Sequence, residues 1–260
     1  MLKAVSLTNG EFIESNKRKV QKGLKGSPKY FRSSIAARIA FSLLDRAIEL
    51  NRKMSFSCAK GCSYCCHIQT DVTAGEAFVL ADAVRSMPDD QRDDVVSRLR
   101  DNAGKVATMG LSERHVSLIP CAFLDLTERS CTVHASRPTA CRRWHSLDAS
   151  ACRDQYDRIV TDRVISAGDG VPIDPYAAQI ASLVIAGYWQ AMNEPQGELH
   201  QAVLMALEPD SERRFARGED IFKGLKTTSS TATEEEIERM KLQARRIREA
   251  TSDGPHDIAS

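Results

Sequence analysis

Residues 58–67 read CAKGCSYCCH. Four of the eight cysteines, Cys58, Cys62, Cys65 and Cys66, lie in this stretch, and the other four follow at Cys121, Cys131, Cys141 and Cys152. Thiolate is the form in which sulfur binds metal, and a close group of thiols gives up its protons when a cation arrives. Gaps of two or three residues let successive sulfurs converge on one centre, as in structural zinc sites. Gly61 supplies a backbone position free of Cβ constraint where the chain must wrap an ion. Cys65 and Cys66 are neighbours, and in an extended segment neighbouring side chains point to opposite sides. Both therefore reach one centre only if the backbone turns; otherwise they serve two metals. Burial as small apolar groups is the plain alternative, but it does not account for four cysteines packed beside Lys60 and Gly61. The expected ligand set is all eight cysteines, holding zinc or iron, the latter as a single ion or an iron–sulfur centre.

Composition sets the frame. The chain has 260 residues, 42% apolar and 27% charged, with a net charge of +1. Such a chain is long enough for a sizeable core, and its near-neutral balance gives no global pull toward nucleic acid or a membrane surface. No apolar run near residue 1 resembles a signal segment. The mostly apolar stretch from Tyr176 to Trp189 is too short to span a bilayer. The expected location is the cytoplasm, where thiols stay reduced and a cysteine cluster is a metal site sooner than a disulfide framework. The expected partner is a metal ion, with a protein partner as a further expectation and neither membrane nor nucleic acid.

Along the chain, residues 1–57 carry twelve Lys or Arg against four Asp or Glu. Residues 1–31 are expected to form a basic, flexible arm, because KRKVQKGLKGSPK offers little to bury. A solvated tail is preferred there to a phosphate contact, since no aromatic residues interleave with the lysines. Residues 32–225 are expected to form a helical domain holding a cysteine-cluster region over 55–155, with a linker and charged helix over 226–260. Ile35, Ile39, Leu43, Ala47 and Leu50 predict a helix capped by Ser33 or Ser34. Thr73 and Glu76 predict a capping box. Further helices are expected after Pro88 with a stripe of Val95, Leu99, Ala103 and Val106; over Tyr156 to Val164, ending at Gly168-Asp169-Gly170; after Pro175; and along Leu199 to Leu207. Thr233 and Glu236 predict a second box, before the stripe Ile237, Met240, Ala244 and Ile247. Residues 116–147, broken by Pro120 and Pro138, read as short strands and turns held by ligand bonds. The fold class is mostly α: a helical domain with a cysteine-rich, metal-stapled segment containing a few short strands.

Three pieces together resemble the YkgJ-family cysteine-cluster proteins, also called the CxxCxxCC zinc- or iron-chelating domain. They are CAKGCSYCC followed by TAGEAFVLA; IPCAFLD, with Ala122 where the family has a second proline; and CTVHASRPTACRRW, with His134 where tyrosine is common. The resemblance implies zinc or iron held by the cysteines. Some members are flagellin lysine N-methylases, so an S-adenosylmethionine-dependent protein methylase is one alternative function. A structural zinc module for protein interaction is another. Whether the chain is an enzyme stays open, and no residue outside the shared region carries the methylase activity over. The C-x3-C-x2-C spacing of Cys58, Cys62 and Cys65 also occurs in radical S-adenosylmethionine enzymes, but here it follows a helix and no strand–helix series comes after it.

Arginines near the thiolates would offset their charge. Arg142 is expected in that role and Arg143 at the ordinary surface. His67, His134 and His145 stand near cysteines, and each is expected to be hydrogen-bonded or exposed. No P-loop, G-x-G-x-x-G or H-E-x-x-H motif is present.

Overall fold

The structure, a computed structural model, describes residues 5–163, 172–227, 232–238, 241–242, 245 and 256–258. After strand β1 (Val5–Leu7), Thr8 and Glu11 form a capping box that starts helix α1 (Asn9–Gly23). Phe12, Asn16 and Val20 recur every four residues along α1 and are buried. Over Asn9–Gly23 this corrects the expectation of a flexible arm. A stripe one residue wide suffices to dock the helix, while its charged side chains occupy the other faces.

Helix α2 (Arg32–Asn51) buries Ala36, Ala37, Ala40, Phe41, Leu44, Ala47 and Ile48. Neither Ser33 nor Ser34 caps it through its side chain. The Ser34 N–H is instead accepted by Glu212 Oε1 at 2.9 Å, from far along the chain. Past the cysteine stretch come β2 (Asp71–Thr73) and α3 (Ala74–Arg85), whose Thr73–Glu76 capping box forms as expected. Helix α4 (Asp89–Val106) follows Pro88 and buries Val95, Leu99, Asn102 and Val106.

The next region holds more helix than expected. Helix α5 (Leu111–Ser117) precedes two-residue strands β3 (Leu124–Asp125) and β4 (Ser130–Cys131), then a 3₁₀ turn over His134–Ser136 and the single-turn helix α6 (Thr139–Arg142). Asp148 caps α7 (Ala149–Asp162), and Asp174 caps α8 (Pro175–Met192) with proline in its first turn. Strand β5 (Gln196–Glu198), α9 (Leu199–Leu207), α10 (Ser211–Ala216) and β6 (His256–Ile258) complete the order. Val164, Gly168, Asp169, Gly170, Met240, Ala244 and Ile247 lie outside the described residues. The Thr233–Glu236 box does form, with Thr233 N donating to Glu236 Oε2 at 2.7 Å and the Glu236 N–H reaching Thr233 Oγ1 at 3.3 Å.

The protein is mostly α. Its described strands form three antiparallel pairs: β1 with β6, β2 with β5, and β3 with β4. One core joins α3, α4 and α9 around Phe78, Leu80, Leu99 and Val203, and Cys121 and Cys131 pack against it. A second sits between α1, α2 and α8. Gly187 lets α8 approach α1, because a Cβ there would stand 2.7 Å from the Ile13 carbonyl oxygen. Among the described residues no helix is long and apolar enough to cross a membrane.

Candidate metal centre

The cysteine stretch is shaped by its backbone. The Ser57 N–H bonds to the Ser146 carbonyl at 2.8 Å, and the Ser146 N–H donates to Cys58 Sγ at 3.2 Å. Gly61 has φ 88°, and open space surrounds the position, so conformation rather than crowding calls for glycine. A 3₁₀ turn over Tyr64–His67 then curls the chain, with the Cys66 N–H on the Ser63 carbonyl at 2.9 Å. This is the backbone turn that adjacent Cys65 and Cys66 need in order to face one region.

Each distal cysteine is brought in by its own device. The Cys121 N–H bonds to the Cys66 carbonyl at 2.8 Å. The β3–β4 hairpin pairs Leu124 with Cys131, and Asp125 Oδ1 accepts the Thr127 and Glu128 N–H groups in its turn. Cys141 rides on α6, whose Thr139 N–H is held by Glu76 Oε1 at 2.7 Å. Cys152 lies on the first turn of α7, where the Ser146 hydroxyl stands against its sulfur.

Seven of the expected ligands, Cys58, Cys62, Cys65, Cys66, Cys121, Cys131 and Cys141, line one cavity of about 710 Å³. Cys152 is not on its wall but sits close enough to feel the charges of Cys58 and Cys62. All eight are free thiols. Among the described residues no group of three or more His, Cys, Asp and Glu side chains stands ready-made to hold an ion. The sulfurs share a cavity, not a closed shell.

Burial raises the thiols. Cys121 and Cys131 are each pushed up to about 11, Cys131 further aided by repulsion from Cys121 and Cys65. Cys141 is raised by burial and then by Cys121, Cys65 and Cys131. Cys65 is exposed on the cavity wall, and hydrogen bonding with the Cys66 thiol is the first cause of its raised value, followed by burial. Arg137 acts in the other direction, its charge favouring the thiolates of Cys65, Cys131 and Cys141.

Of the two arginine expectations, Arg143 is exposed as expected, while Arg142 departs from its expected place. Arg142 is buried and is not on the wall of the cysteine cavity. It pairs with Asp45, donates to the Arg137 carbonyl at 2.7 Å and to the Ala135 carbonyl, and lies over the Phe41 ring. Arg143 lines the cavity, as do Arg129 and Arg137. His145, stacked on Phe56 at 4.2 Å, and exposed His134 also line the cavity, whereas His67 is buried against Tyr156 with Nδ1 near the Ser63 carbonyl.

Two features escape sequence reasoning. Arg114, 1% exposed, donates to the carbonyls of His67 and Ile119 and so joins both ends of the inner wall. His200 also lines the cavity; its Nδ1 meets Glu198 Oε1 at 2.6 Å, and its Nε2 accepts the Ala122 N–H at 3.3 Å. Burial is the largest influence on the Glu198 carboxyl and pushes it up, but the hydrogen bond and charge of His200 with the Gln201 and His200 N–H groups together hold it below its ordinary value. In sequence, His200 sits in an apolar helical run; only the pairing of β5 with β2 turns it toward the cysteines.

Thiols that converge in this number suit a soft or borderline cation, and zinc and iron both accept full thiolate ligation. Residues 57–158 match the CxxCxxCC family model, a "putative zinc- or iron-chelating domain". No curated protein and no solved structure matches the chain. The CxxCxxCC region contains all eight cysteines and excludes α1, α8 and α9, and with them Glu198 and His200.

Proposed function

We propose that this chain is a cytosolic metal-binding protein that chelates zinc or iron through Cys58, Cys62, Cys65, Cys66, Cys121, Cys131, Cys141 and Cys152. The observation that carries this reading is the single cavity on which seven of the eight thiols converge from separate segments. Arg137 and Arg143 on its wall offset the charge that bound thiolates would accumulate. A bound zinc would tie the hairpin, α6 and α7 together, and an iron–sulfur centre would add electron transfer. The enzyme reading, an S-adenosylmethionine-dependent protein methylase, draws support from the size of the cavity. About 710 Å³ leaves room for a small molecule beside the metal, more than a closed structural zinc site needs.

The test is metal analysis of the full chain purified without oxygen. At least one zinc or iron per chain is expected, and Cys62→Ser lowers metal content and thermal stability together. Brown protein with visible absorption identifies iron–sulfur, and colourless protein identifies zinc. Wild-type protein that folds fully and binds neither metal overturns the proposal.

A further inference from the structure

A second concave surface lies between α2 and the segment that runs from the 3₁₀ turn at His134 into α6. It is an open groove of about 800 Å³, and no cysteine lines it. Its walls are basic. Arg38 and Arg46 come from α2, Arg137 and Arg142 from the opposite side, with His134 beside them. Asp45 is the one acidic side chain among the described residues on its wall, and Arg142 already holds it. Arg142 also donates to the Arg137 and Ala135 carbonyls and lies over the Phe41 ring, so it is a fixed part of the wall. Arg38 pairs with half-exposed Asp82 at 3.4 Å. Arg46 and Arg137 differ from these two. Among the described residues neither forms an ion pair, and Arg137 Nε is shut off from water with no acceptor. A buried donor left without an acceptor costs free energy. A guanidinium offers only donors, so a metal ion cannot satisfy it, whereas an oxyanion can. Arg137 and His134 also border the cysteine cavity, but Arg38, Arg46 and Arg142 do not. Charge on the cysteines therefore does not account for this basic wall.

We propose that the groove binds the phosphate group of a small phosphate monoester. A concave surface lined by one sign of charge concentrates ions of the other sign, and guanidinium forks match phosphate oxygens in pairs. A monoester carries about two negative charges near neutral pH, which suits the two unpaired arginines. A phosphodiester, as in nucleic acid or a lipid headgroup, carries one charge and leaves one guanidinium uncompensated. The shared wall of His134 and Arg137 sets the bound phosphate next to the cysteine cavity. The site uses no thiol, so it stands whether or not the cysteines hold metal.

The test is titration calorimetry of the full chain as purified, in phosphate-free buffer, with inorganic phosphate as the probe and metal content matched across variants. Saturable binding of one phosphate per chain is expected, with sulfate competing and dimethyl phosphate binding much more weakly. The double variant Arg46→Ala, Arg137→Gln should bind about tenfold more weakly or worse, as loss of charge-assisted hydrogen bonds does. Arg100→Ala, Lys105→Ala, which removes the same charge outside the groove, should bind as the wild type does. Arg137 is half-buried; if its replacement unfolds the chain, Arg38→Ala, Arg46→Ala on the exposed face of α2 decides the matter by the same loss. Several results overturn the proposal: no saturable binding by the wild type, equal binding by the groove variants, or an equal loss in the control. Dimethyl phosphate binding as tightly as phosphate overturns the monoester assignment. Binding that appears only with metal present and survives the groove variants places the phosphate on the metal and overturns the groove site.

Discussion

Glu76 accepts N–H groups from two different helices: Thr73 N, at the start of α3, at 2.8 Å, and Thr139 N, at the start of α6, at 2.7 Å. It is 1% exposed. Its first partner is three residues away, so Thr73-x-x-Glu76 is legible as a capping box. Its second is 63 residues away, and no local pattern announces it. Glu76→Ala leaves two buried donors unpaired and should cost about 2–4 kcal/mol in urea unfolding, with Glu76→Gln costing less. The thiols give a pH expectation. Cys121 and Cys131, held near 11 in the fold, ionise near 8.5 in an unfolded chain. Between those values the unfolded state binds fewer protons than the native state, so the metal-free protein should be fully stable below about pH 8.5 and lose stability as pH rises toward 11. Metal must displace those same protons, so affinity should fall as pH falls. Calorimetry in buffers of different ionisation enthalpy counts the protons released.

At the scale of elements, α1 shows what composition conceals. Lysines and glycines suggest a tail, yet Thr8 and Glu11 form a capping box and Phe12, Asn16 and Val20 supply a buried stripe. The signal was present in the spacing, but it was one residue wide and diluted by charge. Phe12→Ala should destabilise by about 3–5 kcal/mol, as loss of a fully buried phenyl does, measured by thermal or denaturant unfolding. Gly187→Ala tests the same contact from α8. Its added methyl meets α1 backbone, and about 1–3 kcal/mol of destabilisation is expected. Helices α3, α4, α8 and α9 were legible because their apolar positions recur on a broad face. Helices α5 and α10 are too short to display a period, and α5 carries Arg114, which fixes the wall beside Cys121.

For the molecule as a whole, spacing and family resemblance single out the cysteines, seven of which line one cavity, but they do not announce what surrounds that cavity. His200 reaches the cavity, with Glu198 bonded to its ring, because β5 pairs with β2, setting Glu198 opposite Asp71. Arg142, expected beside the sulfurs, turns to Asp45 on α2 instead. Such long-range pairings leave no periodic trace.

The β2–β5 ladder and the packing of α3 on α9 bear on how the protein can be divided. The family-matched stretch begins and ends inside a continuous interior: Val72, Ala77, Phe78 and Leu80 share one core with Val203 and Phe222 beyond its boundary. A fragment cut to residues 57–158 would open that interior to water and lose the His200 imidazole from the cavity wall. Expressed alone, it should aggregate, and adding back the carboxy-terminal helices should restore its solubility.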